Sequence, residues 1–256
     1  MSKIKLHPLT YIILLSLLLC GYFNYFLIIS FILLIHDLGH LIVMRIYKIK
    51  IYKIEILPFG SIIDTNINYN LNSNILFLIS IAGILMQLIL YLVFGALFSL
   101  RLISEISYNI FLTYNKLIIL FNSLPIIPLD GSKILLSFLE RFISYKKALI
   151  ITNIISLISI ILFIVFNKVT LNLILIGVFL LLKTYQEILE HNFIFNKFLL
   201  ERYLTKSSMK KIKNVKSIKN IFKNKYNFIN NENEDKYLAK LFDNKGIFWY
   251  DLYVCN

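Results

Sequence analysis

The amino-acid sequence predicts an all-α integral membrane protein with about six transmembrane helices and a small hairpin-like re-entrant or interfacial segment after the second. Composition and apolar runs of bilayer length predict this fold. Of the 256 residues 58% are hydrophobic, only 16% are charged, and the mean hydropathy is +0.74. Soluble domains carry about 25% charged residues, so the composition excludes an ordinary soluble fold. The net charge of +13 accompanies a lysine-rich composition and does not by itself indicate nucleic-acid binding.

The predicted spans follow from the lengths of the apolar runs. A helix needs about 20 apolar residues to cross a hydrocarbon core of about 30 Å. The run at 9–47 is long enough for two crossings, with a turn around 21–24. Three clear spans follow, at 75–100, 106–127 and 148–166. A sixth, 169–182, is shorter and is predicted to continue as an interfacial helix.

The positions of lysine and arginine predict the orientation. With six spans, the N-terminus, the loops at 48–74 and 131–147, and the tail share one side, and nearly all lysines and arginines lie there. Cytoplasmic loops of membrane proteins carry this excess of positive charge. We therefore expect a multi-pass protein with both termini in the cytoplasm.

The second predicted span contains three ionisable residues within five positions: His36, Asp37 and His40. Histidines four residues apart lie on one helical face, so both imidazoles can reach one ion. A carboxylate beside the first histidine can deprotonate a metal-bound water, as in the H-E-x-x-H motif with aspartate in the glutamate position. Because ionisable groups within a membrane span are costly and are a functional-site hypothesis by default, the cluster indicates a metal site.

Asp130 is the best candidate for a third metal ligand. Pro125 and Pro128 are expected to break the fourth span near its cytoplasmic end, which lets a non-helical segment aim Asp130 inward. The alternative interpretation is an ordinary Leu-Asp-Gly turn at the end of a helix. Two histidines and one carboxylate leave the fourth position of a zinc ion open, as catalytic zinc sites require. The predicted cofactor is therefore zinc.

Four motifs carry a resemblance to a known family, in this order along the chain: His36 to His40, Leu57-Pro58-Phe59-Gly60, Ala82-Gly83, and Asn122 to Gly131. Together they resemble the site-2 protease family of intramembrane zinc metalloproteases, and within it the sporulation subgroup. The resemblance implies a zinc metalloendopeptidase with the metal held by His36, His40 and Asp130. It also implies that Asp37 is the general base acting on a zinc-bound water.

The same resemblance implies how substrate is bound and where the protein acts. Phe59 and Gly60 would lie beside an extended substrate strand, with Asn122 and Pro128 near the active centre. The implied substrate is a membrane-associated precursor protein, in this subgroup the precursor of a sporulation sigma factor. The implied environment is the lipid bilayer of the bacterial cell or the membrane that surrounds the forespore. Inhibitory membrane partners are compatible with this interpretation, and no nucleic-acid partner is expected.

Asp37 replaces the glutamate of the family, which leaves other functions open. A catalytically silent relative that acts as a binding scaffold would need no strong base. A metal or solute carrier, with the same histidines and Asp130 as a transport site, is a more remote alternative. The absence of an apparent internal repeat weakens the carrier interpretation.

The sequence divides into a membrane-embedded metalloprotease domain at 1–195 and a basic cytoplasmic tail at 196–256, in which the family's CBS domain is reduced or absent. Apolar residues at helical spacing between lysines at 209–223 predict a basic amphipathic helix on anionic lipid. A disordered basic tail is the alternative. Because the proposed catalytic residues all precede Gly131, cleavage is expected to survive deletion of the residues after Lys206.

Overall fold

The computed structural model describes residues 3–6, 23–57, 60–65, 69–168, 170–205, 209 and 211–243. It is mostly helical, as the sequence predicts. The elements in chain order are β1 (Lys3–Leu6), α1 (Phe23–Ile46), β2 (Ile51–Leu57), β3 (Gly60–Thr65), α2 (Ser73–Ser99), α3 (Glu105–Ser123), α4 (Asp130–Leu139), α5 (Tyr145–Phe166), α6 (Leu171–Thr205), β4 (Ile212–Val215), a 3-10 turn (Ile218–Asn220), β5 (Tyr226–Ile229), β6 (Glu232–Asn233) and α7 (Glu234–Asp243).

Three of the described helices are long and apolar enough to cross a membrane: Asn24–Ile46, Ser73–Ser99 and Tyr145–Phe166. They coincide with three of the predicted spans. The span predicted before residue 21 lies outside the described residues. The predicted spans 106–127 and 169–182 are helical only in part, within α3 (Glu105–Ser123) and the first half of α6 (Leu171–Thr205), and neither helix is among these three. The count of six therefore stays a prediction.

The chain divides into two compact units, Met1–Ile67 with Leu78–Ser123, and Asn68–Phe77 with Leu124–Asn256. In the first unit β1, β2 and β3 form one sheet in that order. β1 runs parallel to β2, and β2 pairs with β3 as an antiparallel hairpin in which Leu57 opposes Gly60. This is the hairpin-like segment that the sequence predicts after the second span.

Helices α1, α2 and α3 of the first unit pack through an aromatic and aliphatic core. Ile32, Leu90 and Phe111 are its buried centre, and the rings of Phe94 and Phe111 stack at 3.8 Å. The opposite faces stay apolar and exposed; Leu92, for example, is 76% exposed. Exposed apolar faces of this extent are stable when lipid, rather than water, surrounds them.

Glycine sets the distance between α1 and α2. A Cβ atom added at Gly39 would lie 2.5 Å from the carbonyl oxygen of Ala82, which is a backbone atom and cannot move aside. Only glycine at position 39 therefore lets α2 pack this closely against α1. The close approach brings the face of α1 that carries the histidines against α2.

The second unit contains the non-helical segment before α4. Helix α3 ends at Ser123, ahead of Pro125, as the sequence predicts. The backbone of Ile127 is held by two fully buried hydroxyl groups: its N–H donates to Ser156 Oγ at 2.9 Å, and its carbonyl accepts from Thr184 Oγ1 at 3.4 Å. Irregular backbone within a membrane domain needs such partners, and α5 and α6 supply them.

The predicted amphipathic helix in the tail is wrong. Residues 211–243 form a small fold in which β4 runs parallel to β5 and β5 pairs antiparallel with β6. Val215 and Ile221 join a buried core with Phe195 and Phe198 of α6. Strand pairing and burial under α6 therefore determine the structure, and the helical spacing of apolar residues does not.

Buried ion pairs hold this tail fold in the second unit. Arg202, near the end of α6, pairs with Glu234 and donates to the carbonyl oxygen of Lys223 at 2.6 Å. Lys223 Nζ lies 3.0 Å from Glu140, which caps α4 and also accepts from Ser73 Oγ. The predicted domain boundary at 195 falls inside α6, and the functional division that it expresses stays a prediction.

Candidate metal centre

Helix α1 brings the imidazoles of His36 and His40 together with the carboxylate of Asp37. One possible ligand atom from each residue lies within 4.8 Å of the others. The two histidines are 5% and 8% exposed, and Asp37 is partly buried. All three lie within one of the helices long enough to span a bilayer. The first unit therefore holds a compact His-Asp-His cluster within a helix that could span a membrane, where such groups are rare.

The two histidines turn the same nitrogen toward each other. His36 Nε2 and His40 Nε2 are 3.1 Å apart, while each Nδ1 contacts an oxygen of α2. His36 Nδ1 lies 3.0 Å from Gln87 Oε1, and His40 Nδ1 lies 2.7 Å from the carbonyl oxygen of Ile79. An imidazole whose Nδ1 donates a hydrogen bond presents the lone pair of Nε2. The pair can therefore offer two nitrogen ligands to one point.

Gly83 forms the wall of this cluster on the α2 side. A Cβ atom added there would lie 2.5 Å from His36 Cε1 and 2.6 Å from His40 Nε2. Both atoms belong to rings whose Nδ1 hydrogen bonds fix their orientation, so neither ring can move without losing a bond. Only glycine leaves room for both imidazoles at this position.

Gln87 and Asn115 extend the cluster from α1 through α2 to α3. Both side chains are fully buried. Gln87 Nε2 donates to Asn115 Oδ1 at 3.2 Å, and Asn115 Nδ2 donates back to the carbonyl oxygen of Gln87 at 3.1 Å. Sequence reasoning gave Gln87 no role and did not consider Asn115. The signal was present, because a polar residue in an apolar span indicates function whether or not it is charged.

Asp130 begins α4 in the second unit and is buried. Its Oδ1 atom lies 3.5 Å from Lys133 Nζ, one turn along the same helix. A carboxylate in the first turn of a helix is stabilised by the helix dipole. Asp130 belongs to a different unit from His36 and His40, so its role as a third ligand stays a prediction.

The residues that the resemblance assigns to substrate binding are placed as follows. Asn122 is partly buried in the last turn of α3, and Gly60 is the first residue of β3. Pro128 is exposed two residues before Asp130. Phe59 lies outside the described residues. Their contacts with a substrate stay predictions.

A cavity of about 150 Å³ lies in the second unit beside the segment that leads to Asp130. Pro128, Ser132, Asn153 and Glu187 are among its lining residues. Burial raises the pKa of the Glu187 carboxyl, and the negative charge of Glu190 raises it further. A cavity of about this volume can hold a group of benzene size, which is the size of one side chain.

The chain resembles a curated protein and a solved structure. It is 30% identical over 211 residues to stage IV sporulation protein FB of Bacillus subtilis (strain 168), a match that covers 80% of this chain and 73% of that protein. The chain belongs to the site-2 protease family. The fold of the site-2 protease from Methanocaldococcus jannaschii matches with a TM-score of 0.55 at 24% identity, over 73% of this chain and 92% of the other. No protein-family model matches the chain.

Membership of the site-2 protease family confirms several predictions made from the sequence. The chain is an intramembrane metalloprotease, and hence a hydrolase, related to a sporulation protein. The three helices of the described residues that could cross a membrane agree with a membrane location. The His-Asp-His cluster agrees with a metal-dependent class of protease.

Proposed function

We propose that this site-2 protease is an active zinc metalloendopeptidase that cleaves a membrane-associated precursor protein, with a sporulation sigma-factor precursor as the substrate. The observation that carries this proposal is the buried pair of Nε2 atoms beside the Asp37 carboxylate. The sporulation relative supports the class of substrate.

The donor set fits zinc. Two nitrogens that lie about 2.0–2.1 Å from one tetrahedral zinc ion are about 3.3–3.4 Å apart. His36 Nε2 and His40 Nε2 are 3.1 Å apart, so a small adjustment suffices. The Nδ1 atoms already have oxygen partners, as they do in most histidine–zinc sites. Asp130 is proposed as the third ligand because of its place in the family motif.

Asp37 is proposed as the general base. Zinc, when bound, supplies Lewis-acid chemistry, since it lowers the pKa of water and polarises a peptide carbonyl. The Asp37 carboxylate accepts the proton of the attacking water and returns it to the leaving amine. Its oxygen lies within 4.8 Å of the histidine nitrogens, a gap that one water molecule with hydrogen bonds of about 2.8 Å can bridge.

Substrate binding is proposed along β3. This strand is at the edge of the sheet β1-β2-β3, and an edge strand can add an extended peptide through its free backbone groups. Gly60 begins this edge, and Phe59 precedes it. Asn122 and Pro128 are proposed to contact the same substrate near the scissile bond.

The orientation is part of the same proposal. Six spans with both termini in the cytoplasm, a protease domain at 1–195 and a cytoplasmic tail at 196–256 agree with the distribution of lysine and arginine. Reporter fusions after Ser73, Ser104, Ser144 and Asn167 should alternate between the two sides of the membrane. Two neighbouring fusions that report the same side would rule out this orientation.

Cleavage and metal content test the proposal together. The chain is co-expressed with a sigma-factor precursor, and a shorter product is detected by immunoblot. Asp37→Asn should lower the rate about 10²–10⁴-fold, while Asp37→Glu should keep or raise it. Metal analysis of the purified protein should find zinc, and His36→Ala and Asp130→Ala should each lower its content. Undiminished zinc in both variants would refute the ligand set.

The scaffold function is the second candidate, because aspartate is shorter than glutamate by one methylene. A catalytic group displaced by about 1 Å can cost about 10²-fold in rate. If the natural chain and Asp37→Glu both bind zinc but leave the precursor intact, the chain is a scaffold rather than a protease.

A further inference from the structure

We propose that Gln87 and Asn115 are positioning residues that hold His36 in the tautomer able to bind a metal ion. The inference rests on the proposed metal function of His36. It begins from three hydrogen bonds that run in sequence from the backbone of α2 to the imidazole. Neither amide has been assigned a function by the family resemblance or by the relatives.

The direction of the network is fixed at its backbone end. The carbonyl oxygen of Gln87 can only accept a hydrogen bond. The Asn115 atom 3.1 Å away is therefore the NH2 group, and Asn115 Oδ1 must point toward the Gln87 side chain. An amide's oxygen and nitrogen are normally assigned only from their neighbours. Here a backbone carbonyl makes the assignment unambiguous.

The orientation of Asn115 in turn determines the orientation of Gln87 and the tautomer of His36. Since Asn115 Oδ1 accepts, the group of Gln87 that faces it at 3.2 Å is the NH2 group, and Gln87 Oε1 faces His36 Nδ1 at 3.0 Å. An amide oxygen cannot donate, so His36 Nδ1 carries the proton and Nε2 presents its lone pair. If Gln87 were reversed, its NH2 group would favour the opposite tautomer and close Nε2 to a metal.

His40 provides a comparison within the same site. Its Nδ1 atom lies 2.7 Å from the carbonyl oxygen of Ile79, so the backbone of α2 sets its tautomer directly. His36 Nδ1 instead contacts a side-chain oxygen, Gln87 Oε1, at 3.0 Å. Gln87 and Asn115 are both fully buried, so no water competes with them. A side-chain substitution can therefore change the tautomer of His36 but not that of His40.

The alternative is that the two amides only join α2 to α3. That role would lower the stability of the fold when either amide is lost, but it would not depend on an acceptor facing His36. The two roles differ in the response of zinc affinity, and the chain offers matched controls on exposed positions: Gln186 in α6 and Asn109 in α3.

Zinc affinity of the full-length protein in detergent, measured by competition with a chelator, tests the proposal. Gln87→Met removes the acceptor at nearly constant length and should weaken zinc binding about 10–100-fold. Gln87→Glu keeps an oxygen toward His36 but loses the donor to Asn115 Oδ1, so it should recover part of this loss. Asn115→Leu leaves Gln87 free to reverse and should give a smaller loss. The controls Gln186→Met and Asn109→Leu should bind zinc like the natural chain.

The outcomes separate this inference from the proposed function. Unchanged zinc affinity in Gln87→Met, or equal losses in Gln87→Met and Gln87→Glu, would overturn the positioning role. If Gln87→Met does not fold, unchanged affinity in Asn115→Leu would overturn it as well. Zinc retained by His36→Ala would instead refute the proposed ligand set, because His36 would then not be a ligand.

Discussion

The two units of this site-2 protease bury polar groups in different ways. In the first unit, the hydrogen-bond network behind the histidines consists of uncharged amides, Gln87 and Asn115. In the second, the network at the end of α6 consists of charged residues, Arg202 with Glu234 and Lys223 with Glu140. All of these side chains are nearly inaccessible.

The difference follows from what each network does. An uncharged amide can fix the direction of a hydrogen bond at a modest desolvation cost, which suits a network that orients a metal ligand within a membrane span. A buried ion pair is expensive to break, because removal of one partner leaves an uncompensated charge. We therefore expect changes in the first network to alter metal binding and changes in the second to alter stability.

Removal of the residues after Lys206 should have the largest effect. The sequence alone suggests that cleavage survives this deletion. In the structure, however, residues 211–243 share a core with Tyr145, Phe195 and Phe198, and the deletion would uncover these side chains at a cost of about 1.5–3 kcal/mol each. The truncated protein should fail to accumulate in a detergent-extractable, folded form. A folded truncated protein with full cleavage activity would show that the second network is dispensable.

Arg202→Met tests the charged network directly and should have the next largest effect. The substitution leaves Glu234 buried without its cation and should lower the free energy of unfolding by about 3–5 kcal/mol. Zinc affinity of the folded fraction should not change. Thermal unfolding in detergent and chelator competition measure the two quantities.

Lys240→Met is the control for that substitution. Lys240 and Glu232 form an ion pair at 2.6 Å, but both side chains are largely exposed. Exposed pairs contribute about 0–1 kcal/mol, so the control should be close to the natural chain. Equal destabilisation by the two substitutions would mean that burial does not decide the strength of these pairs.

How far the sequence predicts this structure depends on the distance between partners along the chain. The spans, the His36–His40 pair and the end of α3 before Pro125 follow from local patterns. The partner of His36 lies 51 residues away at Gln87, and the partner of Lys223 lies 83 residues away at Glu140. Such contacts depend on how helices pack, which residue spacing within one helix does not reveal.

The tail also shows that a local sequence pattern does not decide the structure. Its apolar residues repeat at helical spacing, yet Val215 pairs with Ile229 across two parallel strands. The pattern is compatible with both structures, and burial against α6 decides between them. Asp130 shows the same ambiguity. Its sequence motif predicts a metal ligand, while in the structure it is the first residue of a helix.

Gly83→Ala tests the metal centre of the first unit and should lower stability by an intermediate amount. The added methyl group would lie 2.5 Å from His36 Cε1, and overpacking of this kind costs about 1–3 kcal/mol. Because the crowded atoms belong to the two imidazoles, zinc affinity should fall together with stability. Chelator competition and thermal unfolding report both.

Gly95→Ala is the matched control in the same helix. The nearest atom to an added Cβ there is the hydroxyl oxygen of Tyr108 at 4.0 Å, so the position is open. This variant should leave zinc binding unchanged. If it weakens zinc binding as much as Gly83→Ala does, crowding at the imidazoles is not the cause.

Ser156→Ala should have the smallest effect. It tests whether the charge of a buried polar group or the unit in which it lies determines how much stability its loss costs. Ser156 belongs to the second unit, like the ion pairs, but it is uncharged, like the amides of the first. Its Oγ accepts the N–H of Ile127 at 2.9 Å, and the loss of this acceptor should lower the free energy of unfolding by about 1–3 kcal/mol. Thr113→Val, which removes an exposed hydroxyl from α3, is the control and should have almost no effect.

Because Ile127 lies in the segment that leads to Asp130, the Ser156→Ala variant should also lower the cleavage rate more than its stability loss explains. A loss of stability as large as that of Arg202→Met would mean that location within the second unit, rather than charge, sets the cost. A cleavage rate equal to that of the natural chain would mean that the backbone before Asp130 keeps its conformation without Ser156.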